Sequence, residues 1–285
     1  MAGAQQPVLV LGATGGQGGA VVDALLDHGL PVRALVRDPA KDSARRLQDR
    51  AVEVVAGSLD ERDSLTAAMR EVSGVFALTT PFEAGTDAEI EQGRAILAAA
   101  GTARVPHLVF SSVAGADQDS GVPHFESKAV IERELAVGDV PHTILGPTYF
   151  FDNALGGEDR IRDGVLDLPL DPDRPLQQMA RADLGHFAAA VLTAPESFVG
   201  QRIELASDRP TPTQMAQALG TALGRPVRHE QVDLETIDNA DMHAMWSFLR
   251  GPGYRVDLTA LHAEHPEIGW TSFADWAKQT MGETR

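Results

Sequence analysis

With 285 residues, 43% of them hydrophobic and 23% charged, the chain has the make-up of a globular protein long enough to bury one large core or two joined ones. Its 41 acidic residues against 24 Lys and Arg leave a net charge of -17, and the excess is shared evenly by the first 150 residues and the rest. A surface of that sign repels a nucleic-acid backbone, and the absence of cysteine excludes disulfides and zinc–thiolate sites. The opening MAGAQQPVLVLG has no basic leader, and no apolar stretch reaches membrane-spanning length. The expectation is a soluble, cytoplasmic protein with no membrane or direct nucleic-acid partner.

From Pro7 to about Gly146, β-branched or apolar runs alternate with helical patterns. The strands expected are Val8–Leu11, Val32–Val36, Val52–Ala56, Val75–Leu78, His107–Ser111 and His142–Leu145. The helices expected between them are Gln17–Asp27, Ser43–Arg50, Ser64–Val72, Ala88–Ala100 and Phe125–Val137. In the first helix Val21, Ala24, Leu25 and His28 share a face. Nearly continuous apolar strands joined by helix-length connections predict a doubly wound parallel α/β sheet, buried on both faces.

After Pro147 the texture changes, with eleven of the fifteen aromatic residues lying beyond it. Helices are expected at Ala182–Leu192, at Pro212–Leu223 with Thr211 and Gln214 as a capping box, and at Ser272–Met281 after Thr271. Arg202–Ala206 reads as a late strand returning to the sheet, and Asp167–Pro175 as a turn-rich mobile loop. The division expected is a dinucleotide-binding domain over 1–150 and a smaller, mainly helical substrate or lid subdomain over 151–285.

Directly after the first strand stands Gly12-Ala13-Thr14-Gly15-Gly16-Gln17-Gly18-Gly19. Glycine allows the tight strand-to-helix turn and close approach of backbone to a pyrophosphate, and the helix N-terminus presents free N–H groups to it. Gly12, Thr14, Gly15, Gly16, Gln17 and Gly18 are therefore candidate cofactor contacts in a Rossmann-type sheet. The second strand ends at Val36, followed by Arg37 and, four residues on, Lys41. A guanidinium suits a ribose 2′-phosphate, which favours NADP(H). Asp38 stands where a ribose-binding acid could fall, which keeps NAD(H) as the alternative.

GATGGQGG, LVRDPAK, the Gly57-Ser58-Leu59-Asp60 turn, His124-Phe125-Glu126-Ser127-Lys128 and Gly146-Pro147-Thr148-Tyr149-Phe150-Phe151-Asp152-Asn153 together resemble the NmrA-like atypical short-chain dehydrogenase/reductases. Asp183-Leu184-Gly185, Gly224-Arg225-Pro226-Val227 and Trp276 extend the likeness over almost the whole chain. The resemblance implies that Ser58 and Leu59 flank adenine, that Thr79, Thr80 and Pro81 lie along the dinucleotide, and that Ser111 and Ser112 end the fifth strand near nicotinamide. It adds Pro147 and Tyr149 to the cofactor contacts. A serine at position 58, where the family often carries an acid, departs from that pattern.

The Tyr-x-x-x-Lys pair of typical short-chain reductases is absent, because Asn153 and Leu258 follow the two tyrosines at that spacing. His124 and Lys128 stand at i and i+4 instead. Lys128 is the candidate for holding the nicotinamide ribose, and His124, the side-chain type best suited to proton exchange near neutral pH, for donating a proton, with Ser112 beside them. A surface lysine and a packing histidine are the plainer readings. A positioned acid gives about 10²–10⁴-fold, whereas orienting the reactants can give about 7–11 kcal/mol, so quinones, enones and other conjugated acceptors suffer least from the missing tyrosine. Phe82, Tyr149, Phe150 and Asn153 are candidate walls of a substrate pocket. His262 and His265, with His243, fit no zinc spacing, and no metal is expected. The function expected is an NADP(H)-dependent reductase of a small conjugated or aromatic acceptor. The alternative is a non-catalytic NADP(H) sensor acting through a protein partner, and the choice between monomer and homodimer stays open.

Overall fold

A computed structural model describes residues 5–282. In chain order the first elements are β1 (Val8–Leu11), α1 (Gly16–Asp27), β2 (Val32–Val36), α2 (Asp42–Gln48), β3 (Glu53–Ala56), α3 (Arg62–Ala68), β4 (Gly74–Leu78), α4 (Thr86–Ala103), β5 (Leu108–Ser111), α5 (Pro123–Ala136) and β6 (His142–Pro147). Then follow β7 (Tyr149–Phe150), α6 (Glu158–Arg162), β8 (Val165–Leu168), β9 (Gln178–Met179), α7 (Arg181–Thr193), β10 (Arg202–Leu205), α8 (Pro212–Leu223), β11 (Arg228–Gln231), α9 (Ala240–Arg250), α10 (Leu258–Glu264) and α11 (Phe273–Met281).

The described residues form two compact units. The first comprises residues up to Val113, Glu126–Gly146 and Leu184–Ile203, and the second Ala114–Phe125, Pro147–Asp183 and residues from Glu204 on. The chain thus changes unit repeatedly, where the sequence suggested one boundary at 150 with a single late strand, Arg202–Ala206, returning to the sheet. The cause is that α7 and much of β10 return to the sheet unit after the chain has entered the other.

The seven-stranded sheet has the order β10-β6-β5-β4-β1-β2-β3, a doubly wound α/β arrangement in which β1 to β6 pair parallel. Val8 lies opposite Val32 on one side and Gly74 on the other. Leu9, Leu11, Val75, Phe110, Ile131 and Ile144 are among the side chains of its main apolar cluster. Burial on both faces holds for β1 and β5 but not for β3, whose residues are exposed or half-buried because it is the edge strand. Val21, Ala24 and Leu25 turn inward from α1, while His28 is exposed at its C-terminal cap. Gly185 explains the close seating of α7, since a Cβ there would lie 2.3 Å from the Ala20 carbonyl oxygen.

The second unit is less purely helical than its sequence suggests. It contains two short parallel pairs, β7 with β9 and β8 with β11. Phe151 packs edge-on to Phe273, with ring centroids 5.3 Å apart, and Trp276 completes its aromatic core. The capping box of Thr211 and Gln214 starts α8, and α11 packs on α8. The cap of α11 is Ser272 rather than Thr271, which instead donates to Asp183. Asp167 and Leu168 belong to β8, and Leu170 is buried, so the turn-rich stretch is not wholly a mobile loop.

Candidate functional site

In the first unit, β1 ends into a glycine turn. Gly12 takes φ +68°, and the Gly15 amide donates back to its carbonyl at 2.9 Å. A Cβ on Gly18 would lie 2.3 Å from the Gly12 oxygen and 2.5 Å from its carbonyl carbon, so the crossing of loop and helix admits no side chain there. Thr14, Gly15 and Gly16 are exposed. The helix that follows has no side-chain cap and no acid in its first turn. Uncapped N–H groups at the positive end of the helix, reached past the exposed Gly15 and Gly16, fit a pyrophosphate. Ser111, at the end of β5, donates to Gln17 at 2.7 Å and so ties the turn to the sheet.

Beyond β2, Arg37 is exposed and makes only a surface pair with Glu83, at 3.1 Å. Lys41 is exposed at the start of α2. Asp38 is occupied locally, accepting from the Ala40 amide at 2.9 Å. Ser58 donates to Asp60, and Leu59 packs against the main apolar cluster. Thr80 accepts from the Phe82 amide, Pro81 is buried, and Phe82 is 71% exposed.

Lys128 is not a surface lysine. Its ammonium donates to the Thr79 carbonyl at 2.6 Å and the Thr79 hydroxyl at 2.9 Å, and pairs with Glu89 at 2.8 Å. Those three acceptors match its three donors. Glu89, at 0% exposure, also accepts from the hydroxyls of Thr79 and Ser127, at 3.0 and 2.5 Å. Burial pushes the Lys128 pKa down, opposed by the charges of Glu89 and Glu132. Ser112 likewise turns inward and donates to Glu132, which Arg202 grips at 2.8 Å. Glu89, Glu132 and Arg202 were not anticipated from the sequence, because charged residues default to solvent-facing positions.

In the second unit, His124 Nδ1 lies 2.7 Å from Asp241 Oδ1, and the His124 backbone amide donates to the same oxygen at 3.3 Å. Pro147 is buried and its carbonyl accepts from Ala114. Tyr149 packs against Trp246, with ring centroids 5.4 Å apart, and burial pushes its phenol pKa up, opposed by the neighbouring Asn153. A cavity of about 190 Å³ is lined by Tyr149, Asn153, Arg160, Leu166, Ile237 and Trp246, among others. Phe150 is half-buried and does not line that cavity, whereas Phe151 is fully buried in the aromatic core. His262 stacks on Trp270 and bonds the Ala206 carbonyl, and among the described residues no three metal-ligating side chains gather. No described helix is long and apolar enough to cross a membrane.

The NmrA-like family model matches residues 4–259. The chain belongs to the NmrA-like family. This NmrA-like chain is 34% identical over 235 residues to the NAD(P)H azoreductase of Xenophilus azovorans, covering 82% of itself and 79% of that protein. It is 32% identical over 238 residues to the (4-alkanoyl-5-oxo-2,5-dihydrofuran-3-yl)methyl phosphate reductase of Streptomyces griseus, covering 82% and 80%. Among solved structures, the Citrobacter sp. triphenylmethane reductase complexed with NADP(H) superposes with a TM-score of 0.82 at 25% identity, over 95% of this chain and 99% of that one.

Proposed function

We propose that this NmrA-like protein is an NADP(H)-dependent oxidoreductase that reduces a small conjugated or aromatic acceptor. The observation that carries the reading is the glycine-rich turn at Gly12–Gly18, which admits no side chain at position 18 and opens an uncapped helix whose first turn holds no acid. Names of relatives support the chemistry: an azoreductase and a reductase of an (oxo-dihydrofuranyl)methyl phosphate are both matched over about four-fifths of the chain. NADP(H) is preferred to NAD(H) because Asp38 is committed to its own turn, while Arg37 is held only by an exposed pair of the kind worth ~0–1 kcal/mol, which a 2′-phosphate can displace.

Bound NADPH supplies the hydride. The chain's own residues divide the remaining work. The glycine turn and the start of α1 hold the pyrophosphate, and Arg37 with Lys41 the 2′-phosphate. Thr79, Thr80 and Pro81 run along the dinucleotide. Lys128, saturated by Thr79 and Glu89, fixes that strand end and reaches a ribose hydroxyl only by releasing one of those bonds. The Tyr149–Trp246 pocket takes a flat ring and excludes water, with Asn153 as its polar contact. His124 donates the proton that a carbonyl or azo acceptor needs.

The test is NADPH consumption by the purified protein with a quinone, an enone, an azo dye and a cationic triarylmethane dye. Turnover of at least one is expected. Tight NADPH binding with no turnover of any would overturn the reductase reading in favour of a sensor. Arg37→Ala should weaken NADPH about tenfold more than NADH, as loss of one charge-assisted contact implies, and equal losses would refute the cofactor preference.

A further inference from the structure

We infer that Asp241 is a positioning residue that fixes the tautomer and the orientation of His124, so that the imidazole transfers its proton from Nε2. The inference rests on the reading of His124 as proton donor. One carboxylate oxygen of Asp241 meets both the His124 ring nitrogen Nδ1, at 2.7 Å, and the His124 backbone amide, at 3.3 Å. An ionised carboxylate only accepts, so the Nδ1 nitrogen must carry a hydrogen, and the exchangeable proton of the imidazolium is then the one on Nε2. The shared oxygen also locks the ring to the first turn of α5, because backbone and side chain are held by one atom.

The support behind Asp241 is a capped helix packed through its aromatic residues. Asp241 sits in the first turn of α9, whose N-terminus is capped by the Asn239 side chain and favours a negative charge. Further along the same helix, Phe248 packs on Phe125, the residue next to His124, with centroids 5.5 Å apart. Trp246, also on α9, packs on Tyr149. Helix α9 therefore carries both the residue that orients the proton donor and a wall of the ring pocket.

The chemistry separates two acceptor classes. A quinone that receives hydride would become an oxyanion: the C4–H bond of NADPH breaks and its hydrogen and electron pair pass to the quinone, leaving NADP⁺, and then the Nε2–H bond breaks as O–H forms. His124 is left neutral, with Nδ1–H still on Asp241, and solvent restores its proton. A cationic triarylmethane dye that receives hydride at its central carbon becomes neutral and needs no proton. The ratio of kcat on a quinone to kcat on such a dye isolates proton delivery from cofactor binding, hydride transfer and general stability.

Asp241→Asn should lower that ratio about tenfold, within the about 10²–10⁴-fold that a positioned acid supplies, and Asp241→Glu should recover part of it. His124→Gln should lower it at least as far. Nitrogen-15 NMR of the wild-type protein, at a pH where the ring is neutral, should show His124 protonated at Nδ1 and not at Nε2. A wild-type ring protonated at Nε2, or a ratio unchanged by Asp241→Asn or by His124→Gln, overturns the inference. The tautomer needs no turnover, so it tests the Asp241–His124 arrangement separately: with Nδ1–H present and every acceptor inert, the proton-transfer part of the inference falls with the reductase reading, whereas Nε2–H overturns the positioning role itself.

Discussion

Glu89 and Lys128 form an ion pair inside the first unit, with side chains 0% and 10% exposed, and Thr79 and Ser127 supply the remaining hydrogen bonds of the carboxylate. Breaking such a pair from one side costs more than the pair contributes, because the surviving charge stays buried. Glu89→Gln should therefore lower unfolding free energy by about 3 kcal/mol in a urea titration. A loss below the usual surface value would mean that water reaches Lys128. The sequence singled out Lys128 and Ser112, and both prove to be buried. Their partners were not legible: Glu89 lies 39 residues before Lys128 and Arg202 lies 70 after Glu132, separations that only the folded sheet unit brings together. Neither the Asp241–His124 contact nor the Lys128 network leaves a local sequence signal, since both join residues far apart in the chain.

At the scale of elements, the glycine turn was legible because its requirement is local. Gly18→Ala places a methyl 2.3 Å from a backbone oxygen, so the loop must open rather than a side chain rotate away. NADPH affinity, followed by fluorescence titration, should fall at least tenfold, the equivalent of about 1.4 kcal/mol; wild-type affinity would show that the turn does not hold the cofactor. The Thr211 capping box was legible for the same reason, and Thr211→Ala should cost about 1 kcal/mol of stability in the same urea assay. Short strands were not legible. Arg228–Gln231 is wholly polar and only four residues long, and β7 and β9 have two residues each, too few to display an alternation. Helix α9 did leave a trace, because Asn239 caps it and Met245, Trp246 and Leu249 fall at helical spacing on its buried face.

For the whole molecule, the alternation of strands and helices disclosed the doubly wound sheet, whereas the interleaving of the two units depends on contacts between distant segments. One of those contacts gives the stability a pH dependence. His107, buried where its Nε2 lies 3.0 Å from the Thr143 hydroxyl, has its pKa lowered by burial and by the nearby His142. The unfolded chain binds a proton at this site near pH ~6.5 while the folded ring does not, so stability is full above that pH and falls as the pH drops toward the folded value. Thermal midpoints measured on either side of pH ~6.5 should show this loss, and His107→Gln should flatten the slope. An unchanged slope would assign it to other groups.

The position of β10 at the sheet edge beside β6 has a consequence for biosynthesis. The edge of β6 is complete at Pro147, but the strand that covers it begins only at Arg202. At a translation rate of about 5–20 residues per second, the ribosome takes roughly 3–11 s to make the intervening segment. Throughout that interval the nascent sheet presents an apolar open edge, the kind of surface on which neighbouring chains pair. A chain cut near residue 150 never leaves that state and should aggregate. Slowing elongation between 147 and 202 should lower the yield of folded protein more than slowing it after β10 has emerged.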